Sequence, residues 1–275
     1  MQDFGLQYGP WALVTGAESG IGQEFACQLG KHGMNLILVS EETTQVEMMS
    51  ERLAHHFGVK TMVVSADLSN PQASSKIIKQ VEGKEIGFLV PNAGMEAHGD
   101  FIQEDPLEEM RLLQNNIVGP LQLTRHFAGK MSERGRGGII FIASTFGFGA
   151  APYLANYAAS MAYILTLGES LHYELKKDGV DVSVLSPGVN HDFENNSKMN
   201  SGNGSKPIDI KKSYMPATEL IAAVQTGLSC LGKKPTIIPG LFNKTFTFME
   251  KHLMSRRACM SFMGHMFEKA LNSEH

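Results

Sequence analysis

The sequence predicts an α/β fold in which a single doubly wound parallel sheet of about seven strands is covered by helices on both faces. Short runs rich in Val, Ile and Leu recur along the chain without polar alternation, as expected for strands that are buried on both faces. Helical segments separate these runs, and several have proline in their first turn, which is a normal helix start. Strands that alternate with helices in this way form a parallel sheet.

The apolar runs give the predicted strands, which in chain order are Ala12–Thr15, Leu36–Ser40, Thr61–Ser65, Gly87–Val90, Ile139–Ala143, Asp181–Leu185 and Thr236–Ile238. Helices are predicted to begin near Ile21, Thr43, Pro71, Pro106, Pro152 and Pro216. The strand–helix units continue without a break in composition that would mark a second domain. Residues 1–240 are therefore predicted to form one domain.

Two segments differ from this pattern. Asn190–Ser213 is rich in Asn, Ser, Gly and Lys and is expected to be a mobile loop. Residues 241–275 are predicted to add an amphipathic helical extension, either one helix or a pair, to the same domain, because apolar residues recur there at gaps of three and four with a lapse around Arg256-Arg257. These residues are Phe242, Phe246, Met249, Leu253, Met260, Met263 and Phe267. Because basic side chains occupy the other faces, the extension either packs on the domain or a second subunit, or contacts a membrane peripherally.

Composition excludes several classes of protein. The hydrophobic content of 43% is enough for a buried core. The net charge of −4 argues against a nucleic-acid-binding protein. Cys27, Cys230 and Cys259 are far apart and include no C-x-x-C motif, so they are expected to be reduced thiols. The first residues carry no basic leader, and no apolar stretch approaches the ~18 residues of a membrane span. We therefore expect a soluble cytoplasmic protein.

A glycine-rich turn follows the first apolar run. It reads Thr15-Gly16-Ala17-Glu18-Ser19-Gly20-Ile21-Gly22. Glycine permits positive φ and allows the backbone to approach a pyrophosphate closely at a helix N-terminus. The spacing is G-x-x-x-G-x-G rather than the general G-x-G-x-x-G of dinucleotide-binding turns.

Further motifs follow in order along the chain. They are Asp67-Leu68, Asn92-Ala93-Gly94, Asn116-Ile117-Val118-Gly119, and Ser144 with Tyr157 thirteen residues later. Together with the glycine-rich turn, they resemble the short-chain dehydrogenase/reductase family over roughly residues 11–188. The resemblance implies a Rossmann-type dinucleotide-binding and catalytic domain. It also implies an NAD(P)(H)-dependent oxidoreductase that acts on a carbonyl or secondary alcohol.

The resemblance assigns a role to each motif. Tyr157 is expected to transfer a proton at the substrate oxygen, Ser144 to polarise that oxygen, and Asn116 to hold a water in the proton relay. The implied cofactor-binding residues are Gly16, Ser19, Gly20, Ile21, Gly22, Glu41, Asp67, Leu68, Asn92, Ala93, Gly94, Pro187 and Gly188, and no metal site is implied. An acidic residue about 20 positions past the glycines accepts hydrogen bonds from ribose hydroxyls and repels a 2′-phosphate, so Glu41 favours NAD(H) over NADP(H). Alternatively, Glu41 is merely a solvated residue before a helix.

Some positions depart from the family pattern. Met161, four residues after Tyr157, occupies the place of the family's lysine, which lowers the pKa of the phenol and grips the nicotinamide ribose. Asp192 occupies the place of a cofactor-contacting threonine, and Glu18 adds a carboxylate to the glycine-rich turn. His98 follows a predicted strand and is considered as a replacement acid or base, as is His191.

Two functions remain open. The first is an oxidoreductase with impaired or altered catalysis, for which a hydrophobic substrate is expected because residues 241–275 resemble the extensions of lipid-handling relatives. The alternative is a catalytically inactive pseudo-enzyme that binds a dinucleotide, a lipid-like ligand or a protein partner. A homo-oligomer is expected because relatives are usually dimers or tetramers.

Overall fold

The computed structural model describes residues 3–188 and 219–271, and it contains one seven-stranded parallel sheet. The strands are β1 (Trp11–Thr15), β2 (Asn35–Ser40), β3 (Thr61–Ser65), β4 (Ile86–Val90), β5 (Gly137–Ile142), β6 (Val180–Leu185) and β7 (Thr236–Ile237). Their order in the sheet is β3-β2-β1-β4-β5-β6-β7, and every neighbouring pair is parallel. This confirms the predicted doubly wound fold.

Helices alternate with the strands. In the described residues they are α1 (Phe4–Tyr8), α2 (Gly20–Lys31), α3 (Thr43–Phe57), α4 (Ala73–Gln80), α5 (Pro106–Leu113), α6 (Gly119–Arg134), α7 (Ala155–Lys176), α8 (Leu220–Cys230), α9 (Leu241–His252) and α10 (Arg256–Leu271). A π-helical turn, Gln114–Val118, joins α5 to α6, and a 3-10 turn, Thr145–Phe148, follows β5. The predicted loop Asn190–Ser213 and the helix start at Pro216 lie outside the described residues.

The core lies on both sides of the sheet, and β1 shows how the sequence divides between them. Leu13 packs into one cluster with Phe127 of α6, whereas Ala12 and Val14 pack into the other with Phe25 of α2. Successive side chains of a strand point to opposite faces, so an apolar run with no alternation covers both. Ala12, Leu13 and Val14 are all fully buried, so none of these three positions faces water.

The helix starts differ in detail from the predictions. The helix predicted near Pro152 begins only at Ala155, because Tyr153 has φ +67° and Leu154 is also non-helical. The helix predicted near Pro71 begins at Ala73, after a turn in which Asn70 Oδ1 accepts a hydrogen bond from the Gln72 N–H at 2.9 Å. Local turn chemistry therefore delays both helices.

Residues 241–271 form a pair of helices rather than one continuous helix. On α10 the predicted apolar stripe is buried through Met263 and Phe267. On α9 the predicted stripe residues Phe242 and Met249 are exposed, and so is Leu253 just after the helix. None of the described helices combines the length and the apolar character that crossing a bilayer requires.

Sheet topology positions the candidate site. The chain proceeds outward from β1 through β2 to β3, then returns to place β4 on the other side of β1. At such a reversal of strand order, the connections leave a crevice beyond the carboxyl ends of the strands. The segments after β1 and β4 are the glycine-rich turn and the Asn92-Ala93-Gly94 motif, which therefore face each other.

Candidate active site

A cleft of about 750 Å³ opens at the carboxyl ends of the central strands. The sequence-predicted residues that line it are Gly16, Ser19, Ile21, Glu41, Asp67, Leu68, Asn92, Ala93, Gly94, Asn116, Ser144, Tyr157, Met161, Pro187 and Gly188. Gly20 and Gly22 do not line the cleft; Gly20 is the first residue of α2, and Gly22 packs behind the turn. The fold thus gathers the motifs at one site, and their contacts with a cofactor stay predictions.

Two glycines of the turn, Gly16 and Gly22, are required by the protein's own packing. Gly16 has φ +63°, and a Cβ there would lie 2.8 Å from Ala93 Cα. A Cβ on Gly22 would lie 2.1 Å from the Gly16 carbonyl oxygen. Ser19 caps α2 by accepting a hydrogen bond from the Gly22 N–H at 3.0 Å. The capped helix therefore begins directly beside the cleft, where its N-terminus favours anions.

Asn92 fastens the glycine-rich turn to the segment after β4. Its side-chain Nδ2 lies 3.0 Å from the carbonyl oxygens of Thr15 and Gly16 and 2.9 Å from Ser19 Oγ. The hydroxyl of Thr15 in turn accepts hydrogen bonds from the Asn92 and Ala93 N–H groups, both at 3.0 Å. The Asn92 amide therefore holds the floor of the cleft together, a structural role that the motif alone did not reveal.

The cleft is strongly acidic. Its lining carboxylates are Glu18, Glu41, Glu42, Asp67, Glu96 and Glu108. Arg111 is the one cationic side chain that lines it within residues 3–188 and 219–271. That guanidinium lies 3.0 Å from Glu108 and 3.8 Å from Asp67, whose carboxylate also accepts hydrogen bonds from Ser69 at 2.8 Å. Sequence reasoning missed Arg111 and Glu96, because neither belongs to a motif.

Ser144 and Tyr157 meet at the cleft from different elements. Ser144 follows β5 and caps the 3-10 turn by accepting a hydrogen bond from the Phe146 N–H at 3.3 Å. Tyr157 lies in the first turn of α7 and is buried. Burial raises the pKa of Tyr157 well above its ordinary value; the negative charge of Glu96 raises it further, and a hydrogen bond with Ser144 opposes the shift. The phenol is therefore neutral at physiological pH and can act as a proton donor.

Met161 lies one helical turn after Tyr157 and lines the same cleft. Its side chain is buried, and the 3-10 turn packs closely against its backbone, since a Cβ on Gly147 would lie 2.9 Å from the Met161 carbonyl carbon. Among the described residues, no lysine lines the cleft. The predicted site residues His191 and Asp192 lie outside the described part of the chain.

Asn116 sits in the π-helical turn and clamps the segment that follows β4. Its Oδ1 accepts a hydrogen bond from the Met95 N–H, and its Nδ2 donates one to the Met95 carbonyl, both at 2.8 Å. The same Nδ2 lies 3.2 Å from Ser160 Oγ on α7. The clamp fixes Glu96, the next residue along, relative to the helix that carries Tyr157. The predicted contact of Asn116 with a relay water stays a prediction.

His98, the predicted replacement acid or base within the described residues, does not reach the cleft. His98 is buried, but it is not among the residues that line the cleft. The described segments contain no group of three or more His, Cys, Asp or Glu side chains arranged to hold a metal ion.

Comparisons with known proteins agree with this geometry. Residues 10–202 match the family model described as short chain dehydrogenase. The chain is 30% identical to the 7β-hydroxysteroid dehydrogenase of Clostridium sardiniense over 97% of its length and 98% of that protein. It superposes with a TM-score of 0.85 on a structure solved to explain 7β-hydroxysteroid dehydrogenase stereoselectivity, at 25% identity, over 96% of this chain and 100% of the other.

A second solved structure, a short-chain dehydrogenase from Sphingobium yanoikuyae in complex with NADPH, superposes with a TM-score of 0.76 at 25% identity. The match covers 90% of this chain and 96% of that one. The family model spans well over half of the sequence, and the two structural matches cover 96% and 90% of it. The chain therefore belongs to the short-chain dehydrogenase family of oxidoreductases.

Proposed function

We propose that the protein is an NAD(H)-preferring oxidoreductase that acts on a carbonyl or secondary alcohol of a hydrophobic substrate, with catalysis weakened by Met161. One observation carries the proposal. Tyr157 and Ser144 share a hydrogen bond at the cleft, whereas the side chain on the next turn of α7 is an uncharged methionine. Tyr157 is the proposed proton donor, and Met161 stands where the family resemblance implies a cation that would lower the pKa of the phenol.

The state of Tyr157 favours reduction over oxidation. When bound, a nicotinamide dinucleotide supplies or accepts the hydride. Tyr157 supplies the proton to the substrate oxygen in reduction, and the Ser144 hydroxyl orients that oxygen. The raised pKa of Tyr157 keeps its phenol protonated, as reduction requires. Oxidation instead requires the phenol to lose its proton first, which burial and the Glu96 charge both oppose.

Met161 removes electrostatic help from this proton transfer. A positive charge ~4 Å from a phenolate is worth roughly 4 kcal/mol at an effective dielectric of ~20. Methionine offers no such charge and no hydrogen-bond donor for a ribose hydroxyl. General acid–base assistance contributes about 10²- to 10⁴-fold in rate, and part of that factor is expected to be missing. We therefore expect slow turnover.

The cofactor end of the cleft fits a dinucleotide. The N-terminus of α2 and the positive φ of Gly16 bring backbone N–H groups to the position suited to a pyrophosphate. Glu41 lines the cleft after β2, where a carboxylate accepts hydrogen bonds from ribose hydroxyls. Glu18 and Glu42 add negative charge nearby, and an extra 2′-phosphate would have to overcome it. NAD(H) is therefore the proposed cofactor in preference to NADP(H).

The substrate end of the cleft supports a hydrophobic substrate. Around Tyr157, the lining includes the apolar side chains Met95, Phe146, Met161 and Ile164. Such a lining binds carbon-rich groups, while the Ser144 and Tyr157 hydroxyls fix the reacting oxygen. The similarity to a 7β-hydroxysteroid dehydrogenase along nearly the whole chain supports the same substrate class.

Calorimetric titration with NAD⁺, NADH, NADP⁺ and NADPH tests the cofactor proposal directly. We expect micromolar binding of NAD⁺ or NADH and weaker binding of the phosphorylated pair. NADH-dependent reduction of diketones, aldehydes and steroid ketones then tests the reaction. Tight binding of NADPH alone would contradict the cofactor preference, and failure of all four nucleotides to bind would reject the enzyme proposal.

A second candidate function is a binding protein without turnover, and two features of the cleft favour it. Met161 supplies no charge to Tyr157, and six carboxylates face one guanidinium in the described lining of the cleft. For this candidate, NADH binds, no carbonyl substrate is reduced, and restoring a lysine at position 161 has no effect. Assembly as a homo-oligomer and a cytoplasmic location stay predictions; sedimentation velocity and cell fractionation test them.

A further inference from the structure

Helix α9 presents large apolar side chains to solvent. Leu241 is 80% exposed and Phe248 57% exposed, and Phe242 and Met249 are exposed beside them. On a helical projection these positions fall on one side of α9. Leu253, 70% exposed, continues the apolar surface just past the end of the helix. We refer to these five residues as the α9 face.

The side of α9 that faces the domain is mainly polar, and Phe246 is the one large apolar side chain of this helix that packs partly against the core. Asn243 and Thr247 are buried, and Glu250 is half-buried. Asn243 Nδ2 donates a hydrogen bond to the Pro239 carbonyl at 3.0 Å, and the Cys259 thiol donates one to Glu250 at 3.2 Å. An ordinary surface helix buries its apolar stripe and exposes its polar side. Apart from Phe246, α9 does the reverse, so packing on the domain does not explain its exposed apolar residues, and such exposed clusters mark interaction surfaces.

The chain around the α9 face is basic, although the whole protein has a net charge of −4. Residues 241–271 carry the basic side chains Lys244, Lys251, Arg256, Arg257 and Lys269, against only Glu250 and Glu268. Lys244, Arg256 and Arg257 are exposed, and the two arginines follow Leu253 closely.

We propose that the α9 face, with Lys244, Arg256 and Arg257 at its border, binds the surface of anionic lipid bilayers. Apolar side chains bordered by cations suit an anionic leaflet. The acyl region of the leaflet takes up the apolar side chains, and its anionic headgroups neutralise the cations. A second copy docked symmetrically on the same face would instead bring two basic borders together. The charge pattern therefore selects lipid rather than self-association.

The position of α9 relates the lipid surface to the cleft. The helix packs on the 3-10 turn that follows Ser144, where Lys251 Nζ lies 4.2 Å from the centre of the Phe148 ring. At the other side, Asn243 contacts Gly188, a cleft residue: a Cβ there would lie 2.4 Å from Asn243 Oδ1. A bilayer docked on the α9 face would therefore be separated from the cleft only by α9 and the segments that it contacts. Lipid binding itself does not depend on the proposed function.

Sedimentation of the full-length protein with vesicles tests the proposal. We expect binding to vesicles of phosphatidylcholine with 30% phosphatidylglycerol, weaker binding to phosphatidylcholine alone, and loss of the difference at high salt. The double variant Leu241→Ser/Phe248→Ser should lower the partition coefficient by at least about tenfold. The double variant Arg256→Glu/Arg257→Glu should remove the preference for anionic vesicles. Circular dichroism melting checks that each variant is folded.

A matched control uses Leu107→Ser/Met110→Ser, which removes two exposed apolar side chains from α5. This control should bind vesicles like the unmodified protein. The proposal is overturned if the unmodified protein does not bind anionic vesicles, or if the α5 control loses as much binding as the α9 variant. It is also overturned if sedimentation velocity shows a dimer that Leu241→Ser/Phe248→Ser dissociates, since a second copy would then cover the α9 face.

Discussion

Replacing Met161 with lysine should restore a charge beside Tyr157 and so change both its pKa and the rate. Side chains four residues apart on a helix have Cβ atoms roughly 5–6 Å apart. At ~6 Å and an effective dielectric of ~20, a positive charge stabilises a phenolate by roughly 3 kcal/mol, or about 2 pKa units. The pKa of Tyr157 should therefore fall towards the ordinary range of tyrosine. Glu96 lines the same cleft and supplies a negative charge that favours the protonated lysine.

The assay follows NADH consumption at 340 nm with a diketone or steroid ketone, and alcohol oxidation with NAD⁺. We expect Met161→Lys to raise kcat/KM for reduction by at least about tenfold, within the range that acid–base assistance supplies. Oxidation should gain more, and its rise with pH should move to lower pH, because oxidation begins from the phenolate. The gain should vanish in Met161→Lys/Tyr157→Phe.

The control is Met161→Leu, which keeps a similar volume and adds no charge. An equal gain in this control would show that packing at position 161, rather than charge, limits the rate. A folded Met161→Lys protein that binds NADH normally, yet shows no gain in either direction, would refute the electrostatic reasoning. The binding protein without turnover would then be the better description.

Three further predictions follow from the described side chains. Glu41→Arg should raise the ratio of NADPH to NADH affinity by at least about tenfold, because it replaces a repelling carboxylate with a cation; an unchanged ratio in calorimetry would remove Glu41 from the ribose site. Burial and Glu250 raise the pKa of the Cys259 thiol to about 12, so peptide mapping should find iodoacetamide on Cys259 last at pH 8. The raised pKa of Tyr157 stabilises the fold fully below the unfolded-state value of ~10, and this contribution is lost as pH rises further. Melting midpoints should therefore fall more steeply above pH 10 in the unmodified protein than in Tyr157→Phe.

The fold was predictable because its signals are local. Residues 36–39 in β2 are all apolar and almost fully buried, as expected in a sheet that is covered on both faces. The late start of α7 was not predictable, because it depends on the positive φ of Tyr153, a residue that rarely takes that conformation. The sequence likewise did not predict that the apolar side of α9 is exposed. Its period of three and four indicates a helix but does not say which side the domain covers.

The candidate site was predictable only where motifs record it. Ser144 and Tyr157 carry a recognisable spacing, and the fold brings them together at the cleft. Glu96 and Arg111 have no such spacing, and they reach the cleft only through the arrangement of β4 and α5. The motif that contains Asn92 does not reveal the structural role of its amide, since the side chain bonds mainly to backbone carbonyls some 76 residues away in sequence. Contacts between distant segments depend on tertiary geometry, which a linear pattern does not contain.

The protonation of Tyr157 depends on several residues that the fold holds in place rather than on one neighbouring side chain. Asn116 grips the backbone of Met95 at two atoms, so the next residue, Glu96, is held at a fixed place in the cleft. Tyr157 is buried on the helix that also contacts Asn116 through Ser160. The negative charge near the phenol is therefore held in place by the fold, and no lysine among the described lining residues lies beside the phenol to oppose it. A site built in this way holds its proton and gives it up only to a strong base, such as the alkoxide that carbonyl reduction creates. The geometry thus accounts for both the weakness of the proposed catalysis and its direction.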